Sequence, residues 1–144
     1  MADRQVIADF ARSMGIATSG LRAQAARIRV ISENIANADS TAATPGGDPY
    51  RRKIPTFASE LDRTLDAKVV TLGRVAADPS DFRIKHDPGN PAADENGFVK
   101  MPNVDVQTEL ADMREANRTY EANLQVAKQS AELLTMTTNL LKDA

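Results

Sequence analysis

The prolines of this 144-residue chain are confined to its middle. All seven lie between residues 45 and 102, and five of the seven glycines lie in the same range. Because proline inside a helix removes a backbone hydrogen bond and clashes with the preceding turn, long uninterrupted helices fit only on either side. The sequence therefore predicts three segments: an N-terminal helix in residues 1–38, an interrupted middle in 39–102 and a C-terminal helix in 103–144.

Apolar residues in the N-terminal segment recur with the spacing of a coiled-coil heptad, which is typical of a helix that packs against another helix. One row of the heptad holds Ile7, Met14, Leu21, Ile28 and Ile35, and the other holds Phe10, Ala17, Gln24 and Ile31. Gly15 and Gly20 lie off both rows, and each costs about 1 kcal/mol relative to alanine in a helix. We therefore expect the first twenty residues to be the weaker half of this helix.

The C-terminal segment carries a second heptad. Its first row holds Met113, Tyr120, Ala127, Leu134 and Leu141, and its second row holds Leu110, Asn117, Leu124, Ala131 and Thr138. The polar members of the second row are candidates for fixing the register of a helix pair. The pattern again predicts a helix that packs along one face.

The charges of the two flanks are opposite in sign. Residues 1–35 carry five arginines and three acidic residues, a net charge of +2, whereas residues 105–144 carry four basic and seven acidic residues, a net charge of −3. Opposite charges favour pairing of the two helices with each other. The predicted fold is mainly α, with the N- and C-terminal helices paired as an antiparallel coiled coil and a loop-rich middle segment. Residues 68–72 and 82–84 are candidates for a few short β-strands in that segment.

The composition argues against several classes of function. The net charge of −2 gives no electrostatic basis for binding nucleic acid, and no apolar run approaches the roughly 20 residues that cross a bilayer. One histidine, no cysteine and no glycine-rich phosphate loop predict neither an enzyme nor a bound cofactor. The N-terminal residues lack the apolar region of a cleavable secretory signal. The absence of cysteine fits a reducing cytosol, or a protein that is exported without forming disulfides.

Two polar stretches of the middle segment permit more than one interpretation. "HDPGNPAADENG" (86–97) contains four residues of types that bind metals, His86, Asp87, Asp94 and Glu95, but their order differs from that of a calcium loop. Its prolines, glycines and asparagine instead favour tight turns with local side-chain hydrogen bonds. "YRRK" (50–53) is short and basic, and it is interpreted as a solvated strand edge protected by charge rather than a nucleic-acid site.

Two terminal stretches carry a resemblance to a known family. "SGLRAQAARIRVISENIANADST" (19–41) resembles the N-terminal signature of the axial proteins of the bacterial flagellum, which include rod, hook and hook-associated subunits. "ANRTYEANLQVAKQSAELLTMTTNLL" (116–141) is similar to the C-terminal helix of the same family. "GGDPYRRKIPTF" (46–57) and residues 86–113 are similar to the rod members. Nearly the whole chain, residues 19–141, takes part in the resemblance.

The resemblance implies a structural subunit of the proximal rod. Such a subunit passes unfolded through the flagellar type III export apparatus, without a cleaved signal peptide. It then assembles helically with other rod proteins and copies of itself, beside the inner-membrane ring and export gate. The resulting rod is a drive shaft in the periplasmic part of the basal body, and it encloses the export channel. The terminal helices would form the inner tube wall, with the middle segment packed outside.

The resemblance also implies which residues serve in packing between subunits. In the first signature they are Leu21, Ile28, Asn34, Ile35 and Asn37, and in the last they are Tyr120, Glu121, Asn123 and Leu124. The heptads add Ile31, Met113 and Leu134 to this set. Asn34 and Asn37 are expected near the end of the first helix, because asparagine tolerates the left-handed conformation and can satisfy free carbonyls.

A second hypothesis remains compatible with the paired helices. The chain could be a cytosolic two-helix adaptor, or a protein like a flagellar export chaperone, that binds helices of its partners. Such a protein would be fully folded when isolated, whereas a rod subunit is expected to have frayed ends until it assembles.

Overall fold

The computed structural model describes residues 2–142. Helix α1 spans Ala2–Ala36 and helix α2 spans Val106–Lys142, so that half of the chain is helical. The two helices pack together, which confirms the predicted mainly α fold. Met1 of the predicted first segment and residues 143–144 of the predicted last segment lie outside the described residues.

The middle of the chain contains two separate two-stranded sheets. Strand β1 (Lys53–Asp62) pairs with β2 (Ala67–Ala77), and β3 (Arg83–His86) pairs antiparallel with β4 (Phe98–Met101). Since only four residues connect β1 to β2, these two strands form an antiparallel hairpin. Both predicted strand stretches are confirmed, although Phe82 precedes β3, and β1 and β2, with 10 and 11 residues, are longer than expected.

The chain divides into two compact units. The first contains the chain up to Arg27, Phe57–Gly73, and the chain from Glu115 onward. In this unit the helices run antiparallel. The Ser130 hydroxyl donates a hydrogen bond to that of Ser13 at 3.3 Å, Gly20 faces Asn123, and Arg27 forms an ion pair with Glu115 at 3.3 Å. These contacts recur about every seven residues, as a heptad requires.

The second unit contains Ile28–Thr56 and Arg74–Arg114, and most of the fully buried side chains lie there. Its core joins the last turns of α1 to β4 and the first turn of α2. The buried apolar residues of this unit are Val30, Ile31, Ala38, Ala92, Val99 and Val104. The core is therefore small and built from aliphatic residues, as expected for a chain without tryptophan.

The observed helix contacts differ from the predicted ones on α2. All nine heptad positions of α1 are buried or partly buried. Seven of the ten heptad positions of α2 are partly buried, and Leu110, Asn117 and Leu141 are exposed. The buried positions of α2 are Glu109, Ala116 and Ser130, one residue before three of the five predicted second-row positions. Ala116 and Ser130 are small enough to fit between closely packed helices, whereas Glu109 is buried because Asn34 and Arg52 hydrogen-bond to it.

Gly20 shows the same effect, and the prediction that it lies off the contact face is wrong. A Cβ atom at Gly20 would lie 2.8 Å from the side-chain nitrogen of Asn123. The missing side chain therefore leaves the space in which the Asn123 amide of α2 lies against α1. Gly15 serves another contact, because a Cβ there would lie 2.5 Å from Leu65 at the tip of the β1–β2 hairpin.

We expect Gly20→Leu to lower the free energy of unfolding. The leucine gains about 0.8 kcal/mol of helix propensity, but forcing a side chain into this contact costs about 1–3 kcal/mol. The net loss of about 1 kcal/mol is measured by urea unfolding followed by circular dichroism. Gly89→Leu is the control, because a Cβ at Gly89 meets nothing within 4 Å. Equal stability of the two variants would contradict the close helix approach.

Helix α2 begins immediately after a side-chain cap. Asp105 Oδ1 accepts a hydrogen bond from the backbone N–H of Gln107 at 3.0 Å, and its Oδ2 accepts one from the Thr108 hydroxyl at 3.1 Å. These two hydrogen bonds, from Thr108 first, lower the pKa of the Asp105 carboxyl. A carboxylate at this position also interacts favourably with the helix dipole.

We expect the stabilising effect of Asp105 to be lost in acid. Because its pKa is lowered in the folded state, the contribution is present above the ordinary pKa of aspartate, about 3.9, and disappears as the pH falls through the folded-state value. The difference in urea midpoint between wild type and Asp105→Ala should therefore be largest at pH 7 and shrink below pH 4. A difference that does not change with pH would show that the charge has no role.

Candidate functional site

A buried polar network joins the end of α1 to the start of α2 in the second unit. Asn34, in the last turn of α1, is fully buried. Its Oδ1 accepts hydrogen bonds from the backbone N–H of Lys53 at 2.9 Å and from the Tyr50 hydroxyl at 2.8 Å. Its Nδ2 donates to the Lys53 carbonyl at 2.8 Å and to Glu109 Oε2 at 3.0 Å. The side-chain amide of Asn34 thus bonds both the N–H and the carbonyl of Lys53, as the backbone of a neighbouring β-strand would.

Glu109 is the second fully buried polar residue of the network, and it faces an arginine. Arg52 Nε donates to Glu109 Oε1 at 2.5 Å, and the Arg52 guanidinium also pairs with Asp78 at 3.3 Å and Asp112 at 3.6 Å. The backbone N–H of Arg52 donates to Asn103 Oδ1 at 2.8 Å. A buried carboxylate needs a partner of this kind, because burying an unpaired charge costs several kcal/mol.

The surroundings of Arg52, Asp78 and Tyr50 shift the pKa of each side chain in the direction that keeps the protonation state in which it makes its contacts. Burial alone lowers the pKa of the Arg52 guanidinium, but hydrogen bonds and attraction to Glu109 and Asp78 outweigh burial and raise it. Hydrogen bonds from Ser80, and then from Arg52, lower the pKa of Asp78. Burial, followed by the charges of Glu33 and Glu109, raises the pKa of Tyr50 to about 12. Arg52 and Asp78 therefore stay charged, and Tyr50 stays protonated, across the physiological range.

The interpretation of "YRRK" as a solvated strand edge is wrong for its first three residues. Tyr50 and Arg52 belong to the buried network, and the Arg51 guanidinium lies 4.1 Å from the centre of the Phe82 ring. Arg51 also donates to the backbone carbonyls of Asp78 and Ser80, each at 2.8 Å. A basic run suggests solvent exposure, but here acidic and carbonyl acceptors distant in sequence surround it.

Helix α1 ends at the predicted position, but no asparagine at its end adopts the left-handed backbone conformation that was expected. The helix ends at Ala36, and Asn37 Nδ2 donates to the Glu33 carbonyl at 2.9 Å. The same carbonyl accepts the backbone N–H of Asn37 at 3.1 Å, so the side chain adds a second hydrogen bond rather than satisfying a free carbonyl. Within residues 2–142, Asp66 is the only non-glycine residue with positive φ. Asn37 therefore ends the helix through its side chain rather than through a left-handed backbone.

The predicted packing residues lie along both helices and do not converge on one pocket. Ile31 and Asn34 are buried, and Glu121 is exposed. The other members are partly exposed: Leu21, Ile28, Ile35, Asn37, Met113, Tyr120, Asn123, Leu124 and Leu134. Two of these predicted residues make contacts between the helices: Asn34 contacts Glu109, and Asn123 contacts Gly20.

An apolar stripe on the outer side of α2 was not predicted. We define the α2 stripe as Val126, Leu133, Met136 and Leu140, which are 44%, 45%, 60% and 72% exposed. The members of the α2 stripe follow one another at spacings of seven, three and four residues, which indicate one helix face. The stronger heptads of the inward-facing side obscured this signal in the sequence.

The loop at residues 86–97 folds into local turns, as predicted. Asn90 Oδ1 accepts a hydrogen bond from the backbone N–H of Ala92, and Asp94 Oδ1 accepts from those of Asn96 and Phe98. No group of three potential metal ligands occurs within the described range. Among the helices of residues 2–142, none is both long enough and apolar enough to cross a membrane.

Comparison with known proteins identifies the family. Residues 14–43 match the family model described as "Flagella basal body rod protein", and residues 95–140 match "Flagellar basal body rod FlgEFG protein C-terminal". The flagellar basal-body rod protein FlgC of Agrobacterium fabrum is 58% identical over 127 residues, which cover 88% of this chain and 91% of the relative. The chain belongs to the FlgC family of flagellar basal-body rod proteins. FlgC of Yersinia enterocolitica is 39% identical over 125 residues, covering 87% and 92% of the two chains. FlgC of Aquifex aeolicus is 33% identical over 129 residues, covering 90% and 95%.

Membership of the FlgC family confirms the resemblance drawn from the terminal signatures and supports a structural role in the flagellar basal-body rod. The two matched segments contain the central pair of the buried network, Asn34 and Glu109. Tyr50 and Arg52 lie between the matched segments, although both complete that network. The family signature therefore includes a contact that holds the two helices and β1 together.

Proposed function

We propose that this FlgC-family protein is a subunit of the proximal rod that assembles helically with other rod proteins and with copies of itself. The observation that supports this most directly is the pair of helices of 35 and 37 residues, which still carries an apolar face exposed to solvent. A contiguous exposed apolar face of this kind marks an interaction surface. The assembled rod would transmit torque and enclose the export channel.

In this proposal the terminal segments, residues 1–38 and 103–144, form the inner tube wall, and residues 39–102 pack outside it. The predicted packing residues that are exposed or partly exposed would contact neighbouring subunits: Leu21, Ile28 and Ile35 on α1, Asn37 just after it, and Tyr120, Glu121 and Leu124 on α2. Asn34 serves a different role, because its amide is used entirely within the chain. It holds β1 against the helix pair.

The proposal includes the route to the site of assembly. The chain would pass unfolded through the type III export apparatus, without a cleaved signal peptide, and assemble beside the inner-membrane ring and export gate. The absence of cysteine supports this, because no disulfide can form before or during passage. A small aliphatic core also supports it, since such a core is unfolded at little cost in free energy.

The test is complementation of swimming in an Agrobacterium fabrum strain that lacks its own FlgC. We expect this chain to restore swimming, and Leu124→Asp to abolish it, because an unpaired carboxylate in an apolar contact costs several kcal/mol. Asn139→Asp is the matched control, since Asn139 is exposed on the polar side of α2. Immunoblots of cells and medium report the level and export of each variant.

Two results would contradict the proposal. One is normal expression and export of the unaltered chain without any swimming. The other is normal swimming of the Leu124→Asp strain, which would show that this face of α2 contributes nothing to assembly.

A further inference from the structure

An open apolar groove of about 940 Å³ lies in the first unit, between α1 and the tip of the β1–β2 hairpin. Leu65 packs against Gly15, and Ser19 Oγ accepts a hydrogen bond from the backbone N–H of Val70 at 3.2 Å, which holds the hairpin on the helix. The groove is lined by side chains that include Met14, Thr18, Arg22, Leu61, Leu65 and Val69. The groove follows α1 from Ala11 to Ala23, about 18 Å at the rise of a helix.

The α2 stripe has matching dimensions and chemistry. It extends from Val126 to Leu140, about 21 Å along the helix axis, and its four members occupy positions i, i+7, i+10 and i+14. Glu132 lies beside Met136 on one edge of the stripe, and the groove presents Arg22 at its rim. Both residues are exposed. A helix carrying the stripe thus offers the groove an apolar face with an acidic edge.

A chain cannot fill its own groove with its own stripe. Ser13, Gly20 and Arg27 of α1 face α2, whereas Gly15, Ser19 and Arg22 lie on the groove side of the same helix. Since the stripe is exposed in the folded chain, it is available to another molecule. A contact between two different patches of identical chains repeats without closing, which generates helical assemblies.

We propose that the groove receives the α2 stripe of a second copy of this chain, with Arg22 of one copy paired with Glu132 of the next. The inference rests on the proposed rod function and names the surfaces by which copies meet. The docked α2 runs antiparallel to the α1 that receives it, as α2 does within one chain. Neighbouring copies therefore share one orientation, as a helical array requires.

The absence of cysteine permits a direct test with the full-length protein. Thr18→Cys places a thiol in the groove, and Met136→Cys places one at the centre of the stripe. The two purified variants are mixed in equal amounts, one carrying a small tag, and oxidised. Disulfides form only between residues whose Cα atoms approach within about 7 Å. We expect the mixed disulfide to exceed clearly the half share that random pairing of the two thiols gives.

Exchanging the charges of Arg22 and Glu132 tests the orientation of the docked α2 helix. Arg22→Glu on the Thr18→Cys protein, or Glu132→Arg on the Met136→Cys protein, should each slow formation of the mixed disulfide several-fold. Both changes together should restore the rate. Arg114→Glu is the control, since Arg114 is exposed on α2 well before the stripe begins and the substitution should leave the rate unchanged. Circular dichroism of every variant confirms that the helices remain folded.

Three results would overturn the proposal: predominance of the Met136→Cys homodimer, a random distribution of disulfides, or no restoration by the double charge exchange. The first would indicate a closed two-fold dimer through the stripe. None of them bears on whether the unaltered chain restores swimming, so a wrong groove assignment remains distinguishable from a wrong rod function.

Discussion

Replacing Glu109 with alanine is expected to lower the free energy of unfolding by about 3 kcal/mol, because it removes a buried carboxylate whose hydrogen bonds are each worth about 1.5–3 kcal/mol. Arg52 keeps only its longer contacts with Asp78 and Asp112. Arg52 donates to Glu109 at 2.5 Å, and Asn34 Nδ2 donates to the other carboxylate oxygen. The variant therefore removes the acceptor of two hydrogen bonds in a region closed to water. Urea unfolding at pH 7, followed by circular dichroism at the helix band, measures the loss.

Glu115→Ala is the matched control for this prediction. Glu115 lies on the same helix and pairs with Arg27 at 3.3 Å, but its side chain is two-thirds exposed. Exposed ion pairs contribute about 0–1 kcal/mol, so that Glu115→Ala should change the stability little. If both variants lost the same stability, the burial of Glu109 would have no energetic consequence, and the network would be a surface feature.

Ile31→Asp is expected to have an effect of similar size. Ile31 is 2% exposed in the last turns of α1, so the substitution removes a buried aliphatic side chain and places an unpaired carboxylate among apolar neighbours. The loss of apolar burial costs about 2–5 kcal/mol, and the desolvated charge adds to it. We expect the variant to be largely unfolded at 25 °C, as measured by circular dichroism and by sensitivity to protease.

Two further variants of α1 separate the effect of the buried charge from the effect of the lost side-chain volume. Ile31→Val should cost about 0.5–1.5 kcal/mol, since it removes one methyl group. Ile16→Asp, at a position of α1 that is 39% exposed, should leave the isolated chain folded. A folded Ile31→Asp protein with wild-type stability would show that this turn of α1 is not packed in solution.

The main elements of the fold follow from local properties of the sequence. The prolines exclude long helices between residues 45 and 102, and the heptad of α1 predicts nine positions that are all buried or partly buried. Asn37 ends α1 through a side-chain hydrogen bond to a residue four positions away. Steric limits, periodicity and capping act within a few residues, so each is visible in the sequence without knowledge of the fold.

The contacts of the site depended on tertiary structure, because their partners are distant in the chain. Asn34 meets Lys53 and Glu109, which lie 19 and 75 residues away. Hydrophobic periodicity treats a glutamate as outward-facing, and it locates a helix face only to within about one residue, or 100° of rotation. It therefore placed Leu110 on the contact face in place of Glu109, and placed Gly20 off that face. Sequence alone determined that two helices form and pack together. Only the fold decided which small and polar residues lie between them, because burial of a polar group depends on the partner that satisfies it.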